Sequence, residues 1–351
     1  MKSKISSEAT LLSIIKSTLN YQKSNEVQIG VESMDDCALV KISEKESLAI
    51  TSDFIRGSGF YLFELGLLNY FDVGYYLVSA NLSDLASVGA RPLGLTTVIR
   101  YADMDDADFR EVFNGMKASA DLHNVQIVGG DIGGYKADVF TATAFGIVET
   151  EKALLRKSVK DDDLLCVTGI IGRPITALTY FKEVKNYGFM LSQEEETTIL
   201  NSWKRPPARL KEGYLLSQEN LGNACQDISD GLKATIEQMS ELSGKSFTIY
   251  SNKIPIDNAT RKLADFLKVD PIQVAISASV DFELLFTIPK SKKQECLDTF
   301  EKQGLNMYII GEVNDRNKNI LVDTNNTEKD LPGVTWKQQQ TSDYLKQIIG
   351  K

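Results

Sequence analysis

Carboxylates stand where apolar runs stop and the backbone is poised to turn. The settings are Asp35 and Asp36 in SMDDCALV, Asp53 in LAITSDFIRG, Asp84 in SANLSDLASVGARP, Asp131 in VQIVGGDIGG, and Asp227 with Asp230 in NACQDISDGL. A fold that gathers the ends of these runs gathers the carboxylates too. Such a cluster is costly to desolvate unless a hard cation sits among the oxygens, and Mg²⁺ favours oxygen ligands shared with substrate phosphates. The pattern points to a metal-dependent enzyme acting on phosphates.

The 351 residues, 42% of them hydrophobic, suffice for a packed core and predict two domains. A net charge of −9 opposes binding to nucleic acid or to anionic lipid. Cys37, Cys166, Cys225 and Cys296 are scattered, with no metal-binding spacing, so free thiols in a reducing cytoplasm are expected. The first twenty residues have their apolar positions at helical spacing, interrupted by Ser, Glu and Lys, which predicts an amphipathic helix rather than a leader. No run approaches the roughly 20 apolar residues that span a bilayer. Neither export nor membrane insertion is expected.

CALVKI and SLAITSD predict a hairpin across the charged turn SEKE. Residues 72–88 predict a helix with Asp72 as N-cap and Gly89 as its stop. Leu77, Asn81, Asp84 and Val88 then share one stripe, placing an amide and a carboxylate among apolar neighbours where both need partners. LGLTTVIRYA and VFTATAFGIVE read as strands, residues 105–123 as a helix, and VQIVGGD as a strand into a glycine turn. The charged stretch ETEKALLRKSVKDDD sets a boundary near residue 151. Beyond it, LLCVTG, FTIY, ELLFTIP, NMYIIGEV and NILVD read as strands, with helices through ALTYFKEV and after DISDGL.

Alone, VQIVGGDIGG is explained as well by a structural turn as by a phosphate loop in which Asp131 holds metal. QDISDGL says more: Asp227, Ser229 and Asp230 offer three oxygens within one turn, where a helix cap requires one. ELSGKSF is not a nucleotide loop, because Met239 occupies the required glycine position and the segment runs from helix to strand. His123 is the single histidine, which argues against chemistry built on a histidine base. Phosphoryl transfer needs none, since alignment and charge neutralisation carry it. Arg91, Arg156, Arg205 and Arg209 are the candidate cations.

In order, DDCALV, TSDFIRGSGF, NLSDLASVGARPLG, IVGGDIGG, ALLRKS, VTGIIG, RPPARL, QDISDGL and DFELLFTIP resemble the thiamine-monophosphate kinase family. That family belongs with aminoimidazole-ribonucleotide (AIR) synthase, selenophosphate synthetase and a hydrogenase-maturation protein. The resemblance runs from about residue 30 to about residue 290. It implies an α+β, PurM-like two-domain architecture. Residues 1–150 would pair across a homodimer into a β-barrel, residues 151–351 would form an α/β domain, and ATP with several Mg²⁺ ions would lie in the cleft between them.

By motif matching, Asp36, Thr51, Ser52, Asp53, Asp84, Asp131, Asp227 and Asp230 would be metal ligands. Gly130, Asp131, Arg156 and Ser229 would face the nucleotide; Asp84, Asp227 and Arg156 would be catalytic; Trp336 and Asp281 would lie toward the acceptor. The departures fall on the acceptor side. Met34 stands where the pattern has glycine, Gly59 where it has histidine, and ASVDFELLF where it has GGEDYELLF, so Ala278, Ser279 and Val280 replace two glycines and a glutamate. Thiamine monophosphate is therefore expected to be a poor substrate or none. The hydrogenase-maturation branch is set aside because LKQIIGK has no terminal cysteine, and selenophosphate synthesis because no reactive cysteine with its lysine precedes Asp35. The alternatives are AIR synthase-like activation of an amide or carbonyl oxygen, and nucleotide binding without catalysis. Retention of Asp84, Asp131, Asp227 and Asp230 speaks against the last.

Overall fold

The structure is a computed structural model describing residues 8–19, 24–335 and 348. Its first sheet has six strands: β1 (Val27–Ile29), β2 (Ala38–Lys41), β3 (Glu46–Ile55), β4 (Arg91–Tyr101), β5 (Gln126–Gly134) and β6 (Val139–Glu149). They lie in the order β1-β2-β3-β6-β4-β5, antiparallel except for the β4–β5 pair. Helices α1 (Glu8–Thr18), α2 (Tyr61–Glu64), α3 (Tyr70–Ser87) and α4 (Asp106–Leu122) accompany it. β6 alternates strictly between buried and half-buried residues, the period-two signature of a strand with one face on the core.

α3 is the axis of the molecule, buried around nearly its whole circumference between sheet, α4 and the second half. It starts two residues earlier than the sequence predicts. Asn69 is the N-cap, and Asp72 is the third residue of a capping box, its carboxylate accepting from Asn69 N–H at 3.1 Å while its own N–H donates to Asn69 Oδ1 at 3.0 Å. The predicted hairpin is β2–β3. The predicted glycine turn in VQIVGGDIGG is absent, because β5 continues through it beside β4, with a bulge at Val128. Gly130 has to be glycine there for closeness: a Cβ on it would stand 2.0 Å from the Thr97 carbonyl oxygen.

The second sheet is ordered β13-β12-β9-β11-β7-β10-β8. Its strands are β7 (Asp163–Val167), β8 (Ala224–Asp227), β9 (Ser246–Tyr250), β10 (Leu284–Pro289), β11 (Tyr308–Asn314), β12 (Ile320–Val322) and β13 (Glu328–Lys329). Around it stand α5 (Arg173–Thr179), α6 (Gln193–Lys204), α7 (Leu210–Gln218), α8 (Leu232–Ser243), α9 (Asn258–Leu267), α10 (Pro271–Ala275) and α11 (Lys293–Lys302). α7 and β8 pack against α3, so the two halves share that helix.

The two-domain α+β fold is as expected; each half holds one mixed sheet, and within the single chain the first sheet runs open from β1 to β5. One face covers the core. The other carries Phe54 and Val98, 57% and 40% exposed, in one register row with Thr141 and Asp131. Among the described residues, no helix is long and apolar enough to cross a membrane.

Candidate metal and nucleotide site

Asp36, just before β2, Asp84 on α3 and Asp227 at the end of β8 each present an oxygen within 4.8 Å of the other two. The Asp36 side chain and Asp227 are each 1% exposed. Neighbouring hydroxyls and amides fix the trio. Asn81 Oδ1 accepts the Asp53 N–H at 3.0 Å and its Nδ2 donates to Leu77 O at 2.9 Å, locking α3 against β3 one turn before Asp84. These are the partners that the stripe on α3 requires. Thr51 Oγ1 donates to Asp84 Oδ2 at 2.5 Å, and Ser83 Oγ donates to Asp227 Oδ2 at 2.7 Å. Ser229 Oγ lies 3.4 Å from Asp227 Oδ1.

Arg156 crosses from the connecting segment onto this cluster. Its Nη2 bonds Asp36 Oδ1, its Nη1 donates to Met34 O at 3.1 Å, and its N–H donates to Asp35 Oδ2 at 3.3 Å. Met34 holds φ +52, a left-handed conformation that costs a non-glycine residue roughly 1–2 kcal/mol. The glycine of the family pattern suits that backbone; this chain keeps the conformation with a methionine and uses the carbonyl to seat Arg156.

The electrostatics show what the cluster lacks. Burial, then Asp227 and Asp36, push the Asp84 carboxyl well above the usual range, and burial with Asp36 raises Asp227 to about 8. Burial and Asp36 raise Asp35 to about 7. Asp53 and Asp230 are also raised by burial, and Asp230 adds to the effect on Asp53. Burial works against the Arg156 charge, but Asp36 outweighs it and holds the guanidinium cationic. Asp36 Oδ2, fully buried, has no hydrogen-bond partner among the described residues. An all-oxygen donor set with mutually repelling carboxylates and one orphaned oxygen fits a hard divalent cation such as Mg²⁺.

Not every expected site residue joins this group. Thr51 and Asp53 point from β3 toward α3, so Ser52 between them points the other way and bonds Thr143 Oγ1 at 2.7 Å. Asp131 is exposed and pairs with Arg100 at 2.5 Å. Arg205 bonds Asp72 at 2.7 Å and stacks over Phe71 and Tyr75, Arg209 grips Glu283 through two bonds of 2.6 and 2.7 Å, and Arg91 is exposed at the start of β4. Of the four candidate arginines, Arg156 is the one at the cluster. His123 caps the end of α4, as its helix-end position suggests. Trp336 lies outside the described residues. Ser83 was missed by sequence reasoning, although its place beside Asp84 was a usable signal.

Asp281 is buried, accepting the Gly172 N–H at 2.7 Å on one oxygen, with the Ser279 hydroxyl beside its carboxyl. Burial raises this carboxyl to about 7, against the pull of Gly172 and Ser279. Stability from a raised carboxyl is complete below its unfolded value near 4 and is lost as pH rises through about 7. Asp281→Asn keeps an acceptor for Gly172 and cannot ionise. Denaturant unfolding should show the variant gaining on the native protein from about pH 4 to about pH 7, with a constant gap above. A gap independent of pH would refute this.

The geometry thus defines a class: a two-domain α+β protein with carboxylates from both halves converging on a cluster that could hold a divalent cation. Residues 34–148 match the family model for the N-terminal domain of AIR synthase related protein, and residues 162–324 match that for its C-terminal domain. The chain belongs to the AIR synthase-related family and, within it, is a homologue of the thiamine-monophosphate kinases. It is 32% identical over 316 residues to the thiamine-monophosphate kinase of Methanocaldococcus jannaschii, covering 87% of this chain and 93% of that enzyme. The Pyrococcus horikoshii enzyme is 30% identical over 275 residues, 78% of this chain and 81% of its own. Among solved structures, AaThiL complexed with AMPPCP and TMP superposes with a TM-score of 0.78 at 24% identity, over 96% of this chain and 99% of that one. The thiamine-monophosphate kinase of Stenotrophomonas maltophilia gives 0.71 at 25% identity, over 90% and 96%.

Proposed function

We propose that the chain is an ATP- and Mg²⁺-dependent phosphotransferase of the thiamine-monophosphate kinase type, moving the γ-phosphoryl group in line onto an oxygen of a small phosphate. The observation that carries this is the convergence of Asp36, Asp84 and Asp227 beside Arg156, with a buried Asp36 oxygen left unpartnered. Bound Mg²⁺ would neutralise charge on the β- and γ-phosphates. Asp36, Asp84 and Asp227 would hold it, with Thr51, Asp53 and Asp230 as further ligands. Arg156, kept cationic and seated on Met34 O, offsets triphosphate charge, and Ser229 faces the nucleotide. A phosphate acceptor is already anionic, so no base has to take its proton, in keeping with the single histidine. The AMPPCP and TMP in the neighbouring structure support a nucleotide and a phosphate acceptor.

The acceptor is tested by ATP consumption with thiamine monophosphate against a panel of small phosphates and amides. Val280 packs against the core where the kinase pattern has a carboxylate, so thiamine monophosphate should turn over poorly. Leaving a buried polar group of the substrate unpaired typically costs about 1–3 kcal/mol. Turnover of roughly 1–10³ per second at micromolar thiamine monophosphate would refute the reading of the altered loop. Consumption with amides alone would refute phosphotransfer in favour of amide activation.

The reading includes a homodimer in a reducing cytoplasm, where Cys37, Cys166, Cys225 and Cys296 stay buried free thiols. The exposed face bearing Phe54 and Val98 is the surface for the second copy, and Ser52, Gly130 and Asp131 belong to this sheet, so their contact with metal or nucleotide is one the dimer has to supply. Light scattering should give a dimer at micromolar concentration, and Phe54→Glu a folded monomer. A monomeric native protein would contradict the architecture.

A further inference from the structure

Near the C-terminus, Leu331 to Val334 lie across the loop in which Ala278, Ser279 and Val280 depart from the kinase pattern. Ala278 N–H donates to Val334 O at 2.7 Å, and Val334 N–H donates to Ser277 Oγ at 3.1 Å. The contact is close enough that a Cβ on Gly333, which holds φ +84, would stand 2.8 Å from Ser277 Oγ. The metal-binding turn presses on the same loop. Gly231 holds φ +91, and a Cβ there would meet Ser277 O at 2.3 Å; Lys233 N–H, just beyond, donates to Ile276 O at 3.0 Å.

Lys233 joins all three segments. Its Nζ donates to Leu331 O at 3.1 Å and to Gly333 O at 3.0 Å, with Glu237 Oε1 at 4.0 Å. An ammonium committed to two main-chain carbonyls holds a segment in place, and charge-assisted bonds of this kind are stronger than neutral ones. The loop it secures carries Ser279 and Asp281, both buried, with the Ser279 hydroxyl acting on the Asp281 carboxyl. Asp227, by contrast, is fixed independently by Ser83.

We infer that Lys233 is a positioning residue for the phosphoryl acceptor: by clamping residues 331–334 onto residues 277–278 it sets the loop that meets the acceptor, without setting nucleotide affinity. This rests on the phosphotransferase reading. Lys233→Met removes the ammonium and keeps the apolar stem; Lys233→Arg restores donors. With thiamine monophosphate, or the panel phosphate that the native enzyme turns over fastest, Lys233→Met should raise the acceptor KM about tenfold, the effect of losing a charge-assisted bond or two. The kcat at saturating acceptor and the KM for ATP should stay near native values, and Lys233→Arg should recover most of the acceptor KM. An unchanged acceptor KM, or both KM values rising together, overturns the inference. If the native enzyme turns over no phosphate, the functional reading has failed, and amide hydrogen exchange decides the clamp by itself. Exchange at Ala278 and Val334 must then be faster in Lys233→Met while Ile228 is unchanged; equal exchange at Ala278 and Val334 overturns it.

Discussion

Asp84→Asn and Asp227→Asn should each lower kcat/KM by at least the ~10²–10³-fold that follows loss of one stabilising group at a developing charge. Asparagine keeps the shape and one acceptor oxygen, so Thr51 and Ser83 retain partners, while the anionic ligand is gone. Stability should move the other way. In metal-free protein Asp227 is raised to about 8 by burial and Asp36, and the stability linked to that carboxyl is lost as pH rises through this value. Asp227→Asn escapes the loss, so above pH 8 with chelator its melting temperature should exceed that of the native protein. Steady-state kinetics and thermal melts on the same samples test both halves. Activity within tenfold of native would sink the site, and a collapse of activity together with stability would show that Asp227 serves the fold.

Removing Mg²⁺ should have an effect of similar size on nucleotide binding. Without a cation, the triphosphate would face Asp36, Asp53, Asp84, Asp227 and Asp230 with Arg156 to offset them. Like charges at such separations disfavour the ionised forms on both sides. Calorimetric titration should show ATP affinity falling by roughly two orders of magnitude or more when Mg²⁺ is replaced by chelator, equivalent to about 2.7 kcal/mol. Mg²⁺ alone should also raise the melting temperature, since a ligand at 100 times its Kd stabilises by about 2.7 kcal/mol. Equal ATP affinity with and without Mg²⁺ would exclude the proposed site.

What the sequence revealed follows from how local each signal is. The stripe of Leu77, Asn81, Asp84 and Val88 was legible because helical periodicity alone puts those side chains on one face. Strand periodicity alone also separates Ser52 from Thr51 and Asp53, a constraint that motif matching passed over. Asn69 and Asp72, three residues apart, spell a capping box, so the true helix start was readable too. The pairing of β5 beside β4 was not. Two glycines and an aspartate look locally like a turn, and only the approach of Thr97 to Gly130 makes them strand. Nor was the division of labour among the arginines, since Asp72 and Glu283 meet Arg205 and Arg209 from 133 and 74 residues away.

The carboxylate trio draws Asp36 and Asp84 from the first half of the chain and Asp227 from the second, with α3 lodged between. On the proposed function, a cation bound there would fasten two bodies as well as take part in phosphoryl transfer, and its binding energy would oppose their parting. Free magnesium would then govern how often the joint opens to proteases. A cell short of magnesium would lose the protein to degradation in addition to losing its turnover.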